Sequence, residues 1–288
     1  MSVTSARATA TAPAVATEPE RVDLLTRIRH ELNDGFVMTW RNLMRWLRLP
    51  QLLVVSTIQP IMFVLLFNFV FGGPIDIPGI DNYIDYLLAG IFVQATTFGA
   101  TQTGVALAED LAQGVIDRFR SLPMSRSAVL AGRTTADAVR GLFVVLLMTL
   151  IGSLIGFRFG GTALGAVAAI AIVVAFGFAL SWIAAVVGMS MRSPEAAQAA
   201  SFVWVFPLVF ASSAFVPTQT MPGWLAAFAE NQPVSAVANA ARALMLGEPG
   251  EAIAGGSAWE LSLRALLWIA ALLAVAVPLA IQRYRRAV

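Results

Sequence analysis

Cysteine and lysine are both missing from this 288-residue sequence, and histidine occurs once. Without cysteine there is no disulfide, no thiolate metal site and no thiol nucleophile. The single histidine, His30, lies in a charged stretch near the N terminus, where it reads as a solvated or headgroup-level residue rather than a metal ligand. Zinc catalysis and histidine-dependent triads are set aside on the same ground. The absence of lysine removes the motif G-x-x-x-x-G-K-[ST], whose lysine holds the β- and γ-phosphates of a nucleotide. If the chain takes part in ATP-driven work, another polypeptide must hydrolyse the ATP. Charge is scarce as well: 12% of residues are charged, 58% are hydrophobic, and mean hydropathy is +0.76. That balance lies far from soluble domains and requires lipid as solvent. The net charge is only +2 and the basic residues are not clustered, so no nucleic-acid partner is expected.

Residues 1–23 begin with an Ala/Thr/Pro/Ser stretch without periodicity, which predicts a disordered tail. They are not expected to be a secretory signal, because no apolar core follows within the first 30 residues. Between 24 and 50, Leu25, Ile28, Leu32, Phe36, Trp40, Leu43 and Leu47 recur at helical spacing. Arg27, Arg29, Arg41, Arg45 and Arg48 flank that stripe. The pattern predicts an amphipathic helix on an anionic membrane surface, with a soluble packing helix as the alternative.

Residues 51–282 are expected to form a membrane domain, with six candidate spans at 51–71, 83–108, 141–157, 162–189, 201–216 and 261–281. Each is near or above the ~20 residues needed to cross the hydrocarbon core, the third and fifth being the shortest. If both termini are cytoplasmic, sixteen of the nineteen arginines fall inside, and only Arg158, Arg242 and Arg264 fall outside. Arginine bias of this size sets the orientation. A six-residue tail, 283–288, then lies in the cytoplasm. The fold class expected is all-α and integral to the membrane.

Three stretches carry functional expectations. The cytoplasmic segment from Glu109 reads EDLAQGVIDRFRSLPMSR, with one apolar face and a charged remainder ending at Pro123. It predicts a short amphipathic helix suited to a groove on a protein partner; contact with headgroups alone is the alternative. Inside the spans no Asp, Glu, Arg or His lies near a predicted centre. The polarity there is mild: Gln94, Thr97 and Thr101 share a helical face, and Ser212 and Ser213 lie on the fifth span. These residues either tie helices together or form, with Phe98, Trp204, Phe206 and Phe210, a weakly polar wall for an amphiphile. Gly152, Gly156 and Gly160 have GxxxG spacing, which predicts close helix packing. Finally, the long outer connection is apolar and contains two short helical stretches, 221–229 and 233–246. Pro233 suits a helix start and Gly247 its end. These are expected to be re-entrant or interfacial helices.

The stretch FPLVFASSAFVPTQTMPGWLAAFAENQPVSAVANAARAL, 206–244, resembles the signature region of ABC type-2 exporter permeases. There a span ends at proline, a Pro-x-Trp-Leu helix follows, and an Asn-x-Pro segment leads into an Ala-Arg-Ala-Leu helix. GVIDRFRSLPMSRSAVLAGR, 114–133, resembles that family's coupling region, and 40–72 its entry helix and first span. The resemblance extends over about 24–286. Within the family the chain is similar to the daunorubicin/doxorubicin-resistance permease group of actinobacteria, and its arginine-only, alanine-rich composition fits a GC-rich genome.

The resemblance implies a six-span subunit of the bacterial plasma membrane. It would pair with a second permease, either an identical copy or a paralogue, and with ABC ATPase subunits. The cargo would be amphiphilic drugs, lipids or glycolipids. ATP and magnesium would bind the ATPase, with no cofactor or metal on this chain, which would not itself be an enzyme. By carry-over, Glu109, Asp110, Gly114, Asp117, Arg118, Phe119 and Arg120 would dock the ATPase, and Trp224, Glu230, Asn231 and Arg242 would organise an outer gate. Gln232-Pro233 departs from the Asn-Pro of many relatives and leaves the local helix cap open. Rival readings are an ion-coupled secondary carrier or channel, an integral membrane acyl- or glycosyltransferase, and a scaffold. The carrier lacks intramembrane ionisable residues in this sequence, and the transferase lacks an acid/histidine cluster.

Overall fold

The computed structural model describes residues 24–48, 50–73, 77, 79–80, 82–114 and 126–287. The predicted N-terminal tail and the middle of the predicted coupling segment, with Asp117, Arg118, Phe119 and Arg120, lie outside these residues. Among the described residues there are ten α-helices and no strands. They are α1 (Leu24–Arg48), α2 (Pro50–Phe71), α3 (Tyr83–Ala112), α4 (Arg126–Ile155), α5 (Ala163–Gly188) and α6 (Pro194–Phe210). A 3-10 turn at Thr218–Thr220 leads to α7 (Gly223–Glu230), α8 (Pro233–Leu246), α9 (Glu248–Ala254) and α10 (Ala258–Ala287). Three stretches are long and apolar enough to cross a membrane: Val129–Ile155, Ala163–Gly188 and Ala258–Arg286.

Helix α3 is the axis of the bundle, packed by α2, α4, α5, α6 and α8. Its threonines and glycines suit that place, because small and hydroxyl side chains let helix backbones approach in an apolar medium. A Cβ on Gly104 would strike the backbone of Ala184, and one on Gly188 would strike Gly104, so α3 and α5 touch there main chain to main chain. Helix α5 is fixed at its start by the Thr162 hydroxyl, which accepts from the Gly165 amide at 3.0 Å.

Several sequence expectations need correction. Helix α6 starts at Pro194 rather than 201, because Ser193 caps it through the Ala196 amide at 3.2 Å and proline suits the first turn. It stops at Phe210 rather than 216, where the chain unwinds. Helix α4 starts at Arg126 rather than 141, so Arg133, Asp137 and Arg140 belong to a helix and not to a loop. Gly156, with φ of +131°, follows the end of α4, and the Gly160 amide donates to the Met245 carbonyl at 3.1 Å. The three glycines therefore form no common helix face.

On α1, Phe36, Trp40 and Leu47 of the predicted apolar stripe are exposed, at 67%, 55% and 46%, while Met38 and Trp46 pack inward. Packing against α4 selects a face that the arginine-flanked stripe does not reveal. In the outer connection, α8 runs from Pro233 to Leu246 as expected, and Gly247 ends it with φ of +70°. Helix α9 is additional to the two expected.

Candidate functional site

Two polar constellations stand along α3, one at its start and one about its middle. The first surrounds Arg242 on α8, which is 1% exposed. Its Nε donates to the Tyr86 carbonyl at 2.9 Å and its Nη1 to Asn239 Oδ1 at 2.8 Å. Its Nη2 reaches the carbonyls of Ser213 at 2.8 Å and Ala214 at 3.3 Å. The guanidinium carbon also lies 3.7 Å from the centre of the Tyr86 ring. The Tyr86 hydroxyl donates to the Ser213 carbonyl at 2.7 Å, and the Tyr83 hydroxyl to the Phe215 carbonyl at 2.8 Å.

These donors explain why α6 ends early. The carbonyls of 213–215, freed from a helix, are all taken by side chains from α3 and α8. A Cβ on Gly90 would collide with the Ala214 carbonyl, so glycine lets the unwound segment lie against α3. Burial pulls the Arg242 guanidinium below its ordinary pKa, and the Tyr86 and Tyr83 hydroxyls oppose that shift. Arginine still keeps its charge, and here dipoles and a ring face replace an acidic partner.

The other predicted outer residues fall into separate groups. Glu230 Oε1 accepts from the Thr218 hydroxyl at 3.1 Å, while Arg264 of α10 donates to the Glu230 carbonyl at 2.7 Å and to Asn231 Oδ1 at 3.0 Å. Trp224 stands apart, 76% exposed. Gln232 caps α8, its Oε1 accepting from the Val234 amide at 3.0 Å. Its Nε2 donates to the Leu208 carbonyl at 2.9 Å and more loosely to Ala211. The glutamine therefore performs the capping left open by the Gln-Pro departure and also ties α8 to the end of α6.

The second constellation is a cavity of about 400 Å³ between α2, α3, α4, α5 and α6, with Trp46 of α1 at its edge. One wall is aromatic: Phe98 lies 5.4 Å from Phe206, Phe202 lies 5.4 Å from Phe206, and Phe206 stacks on Phe210 at 5.5 Å. The lining also carries the amides of Gln59, Gln94, Gln102 and Gln198; Gln94 and Gln102 stand one turn either side of Phe98 on α3, and Gln198 one turn before Phe202 on α6. Among the predicted path residues, Gln94, Phe98 and Thr101 meet here. Thr97 turns its hydroxyl back to the Val93 carbonyl at 2.6 Å, Trp204 packs beside the core, Ser212 donates to the Val209 carbonyl at 2.5 Å, and Ser213 belongs to the Arg242 constellation.

Sequence reasoning missed the ionic floor of this cavity. Arg140 pairs with Asp137 at 3.1 Å and donates to the Gly99 carbonyl at 2.8 Å; the Thr103 hydroxyl donates to Asp137. Nearer the start of α4, Arg133 pairs with Asp110 of α3. The signal was present: Arg133, Asp137 and Arg140 recur at four and three, a single helical face. Of the predicted docking residues, Glu109, Asp110 and Gly114 are described and lie at the end of α3; Glu109 accepts from Gln113 at 3.2 Å.

The cavity has the size, the apolar rings and the few polar groups of a small-molecule site. Comparison with known proteins agrees with a transport role. The ABC-2 type transporter family matches residues 34–246. A daunorubicin resistance ABC transporter permease protein of Streptomyces coeruleorubidus is 36% identical over 85% of this chain and 84% of its own length. A doxorubicin resistance ABC transporter permease protein of Mycobacterium tuberculosis is 31% identical over 68% of this chain and 67% of its own. A second Mycobacterium tuberculosis protein, named as a probable permease of doxorubicin resistance, is 29% identical over 87% of this chain and 88% of its own. The chain belongs to the ABC-2 type transporter family, as a permease.

Proposed function

We propose that this chain is the membrane-spanning permease subunit of an ATP-binding-cassette exporter that moves amphiphilic drugs or lipids outward. The cavity is the observation that carries the cargo side: phenylalanine rings and glutamine amides share its lining, so a molecule with an apolar body and hydrogen-bonding groups finds partners for both. The sequence has no lysine for a phosphate-binding loop, so ATP and magnesium bind a separate ATPase subunit. That subunit docks on the region from Glu109 to Arg120, between the ends of α3 and α4. Helices α2 to α6 and α10 serve as six spans, with both termini in the cytoplasm of a bacterial cell. A second permease subunit covers part of the apolar face that α2 and α6 leave exposed, including Phe69, Val203 and Phe206.

An ion-coupled carrier is the second reading, favoured by one feature: Asp137 and Arg140 line the cavity. Their mutual pairing leaves no net charge for an ion to neutralise, which favours the ATP-driven reading. Co-reconstitution with the ATPase into vesicles decides between them. ATP-dependent loading of a fluorescent anthracycline, unaffected by ionophores, is expected. Uptake that follows an ion gradient and ignores ATP would reverse the conclusion.

A further inference from the structure

A smaller chamber of about 200 Å³ opens between α1, α3 and α4, on the α1 side of the cavity floor. Its α1 wall includes Asn42, Arg45 and Trp46. Trp46 is only 8% exposed, and its buried indole N–H has no hydrogen-bond partner among the described residues. On the facing wall Arg133 pairs with Asp110 and Arg140 with Asp137, so neither guanidinium is free, while Glu109 accepts from the neutral amide of Gln113. A buried donor left unmade is costly, so an orphaned indole N–H beside a guanidinium and an amide points to a ligand rich in acceptor oxygens.

We propose that this chamber is a headgroup site for an anionic, phosphate-bearing lipid from the leaflet on which α1 lies. The phosphate accepts from the Trp46 N–H and pairs with Arg45. Tryptophan and arginine are the side chains suited to that depth of a bilayer. The chamber is too small for acyl chains, but an apolar stripe on α4 begins beside it. Phe143, whose ring meets Trp46 edge-on at 5.4 Å, is 43% exposed, and Leu146 and Leu150 continue the stripe at 49% and 59%. Head and tails therefore have separate, adjoining places. Trp46, Gln102, Asp137 and Arg140 line both the chamber and the larger cavity, so a headgroup seated here adjoins the cavity through shared side chains. The site does not depend on the transport reading, and its test requires no transport.

The full chain is reconstituted in phosphatidylcholine vesicles containing graded amounts of brominated phosphatidylglycerol or, in a matched series, brominated phosphatidylcholine. Emission of the protein minus that of Trp46→Phe isolates the signal of Trp46. Quenching is expected to half-saturate at a mole fraction about fivefold lower for the glycerol lipid, the factor expected of one arginine near the membrane surface. Arg45→Gln, at an exposed position that preserves the fold, removes the preference, whereas Arg285→Gln on the distant tail keeps it. Equal quenching by both lipids overturns the proposal. So does an equal loss in Arg285→Gln, which would mean diffuse surface attraction. Displacement of the brominated glycerol lipid by millimolar inorganic phosphate would assign the chamber to free phosphate and overturn the lipid assignment.

Discussion

The two ends of α3 solve the same problem in opposite ways. At the Arg242 end a buried cation is held by the carbonyls of Tyr86, Ser213 and Ala214, an amide oxygen and a ring face, with no carboxylate among these contacts. From the middle of α3 to its other end, Asp137 and Arg140, and then Asp110 and Arg133, are ordinary ion pairs whose side chains keep 14–19% of their exposure. Backbone carbonyls cannot exchange partners without moving the chain, so the Arg242 end behaves as a fixed abutment. Carboxylates near water can part and pair again at small cost. The difference places rigidity at the Arg242 end of the bundle and adjustable contacts at the end of α3 that leads toward the proposed docking segment.

Breaking the abutment should have the largest effect. Arg242→Met removes the four hydrogen bonds donated by the buried guanidinium and its contact with the Tyr86 ring, for an expected loss of about 3–5 kcal/mol in stability. The midpoint of thermal unfolding in detergent measures it. Arg242→Lys keeps the charge but not the fork, and should recover only part of the loss. If Arg242→Met unfolds with the parent, the carbonyls of 213–215 are satisfied in some other way, and the asymmetry between the ends disappears.

Gln232→Ala should come next, at about 2 kcal/mol, because it removes a helix cap together with the donor to Leu208. Gln232→Glu separates the two roles: it keeps the capping oxygen and loses the amide donor. If that variant matches the alanine variant, capping contributes little and the tie to α6 carries the effect.

Much of the fold was legible because it follows from local chemistry. Apolar length set α2, α5 and α10, and proline and glycine marked both ends of α8. Long-range contacts explain the remainder. The end of α6 is fixed by donors on Tyr83, Tyr86 and Arg242, and Arg242 contacts Tyr86 across 156 residues. No local pattern encodes that. The face of α1 that packs is chosen by α4, against the stripe that hydrophobicity favours. In the cavity, the spacing of Gln94, Phe98 and Thr101 was a readable clue, while Trp46, Phe202 and Asp137 arrive from three other helices and required the tertiary structure. Thr97 shows the limit of face arguments: it shares the stripe, yet it is fully buried and does not line the cavity.

Asp137→Asn should cost about 1–2 kcal/mol, since Thr103 and Arg140 keep an acceptor although the charge is lost. Transport should suffer more than stability, because the substitution leaves Arg140 unbalanced in the cavity wall. Initial rates in vesicles, set beside unfolding midpoints, separate the two effects. A variant that transports normally would exclude the pair from the cargo path.

The smallest effect, and the finest test of the contrast, concerns Asp110 and Arg133. Asp110→Asn, Arg133→Gln and the double variant form a cycle whose coupling energy is expected near 1 kcal/mol, because the pair sits at the edge of the bundle where water can replace either partner. Salt should weaken it further, as it does for charges within reach of solvent. The pair joins the end of α3 to the start of α4, the two helices that flank the proposed docking segment in the sequence. A coupling above about 3 kcal/mol, insensitive to salt, would match the strength of a buried pair. It would make this end as rigid as the Arg242 end, and motion would then have to enter the bundle elsewhere.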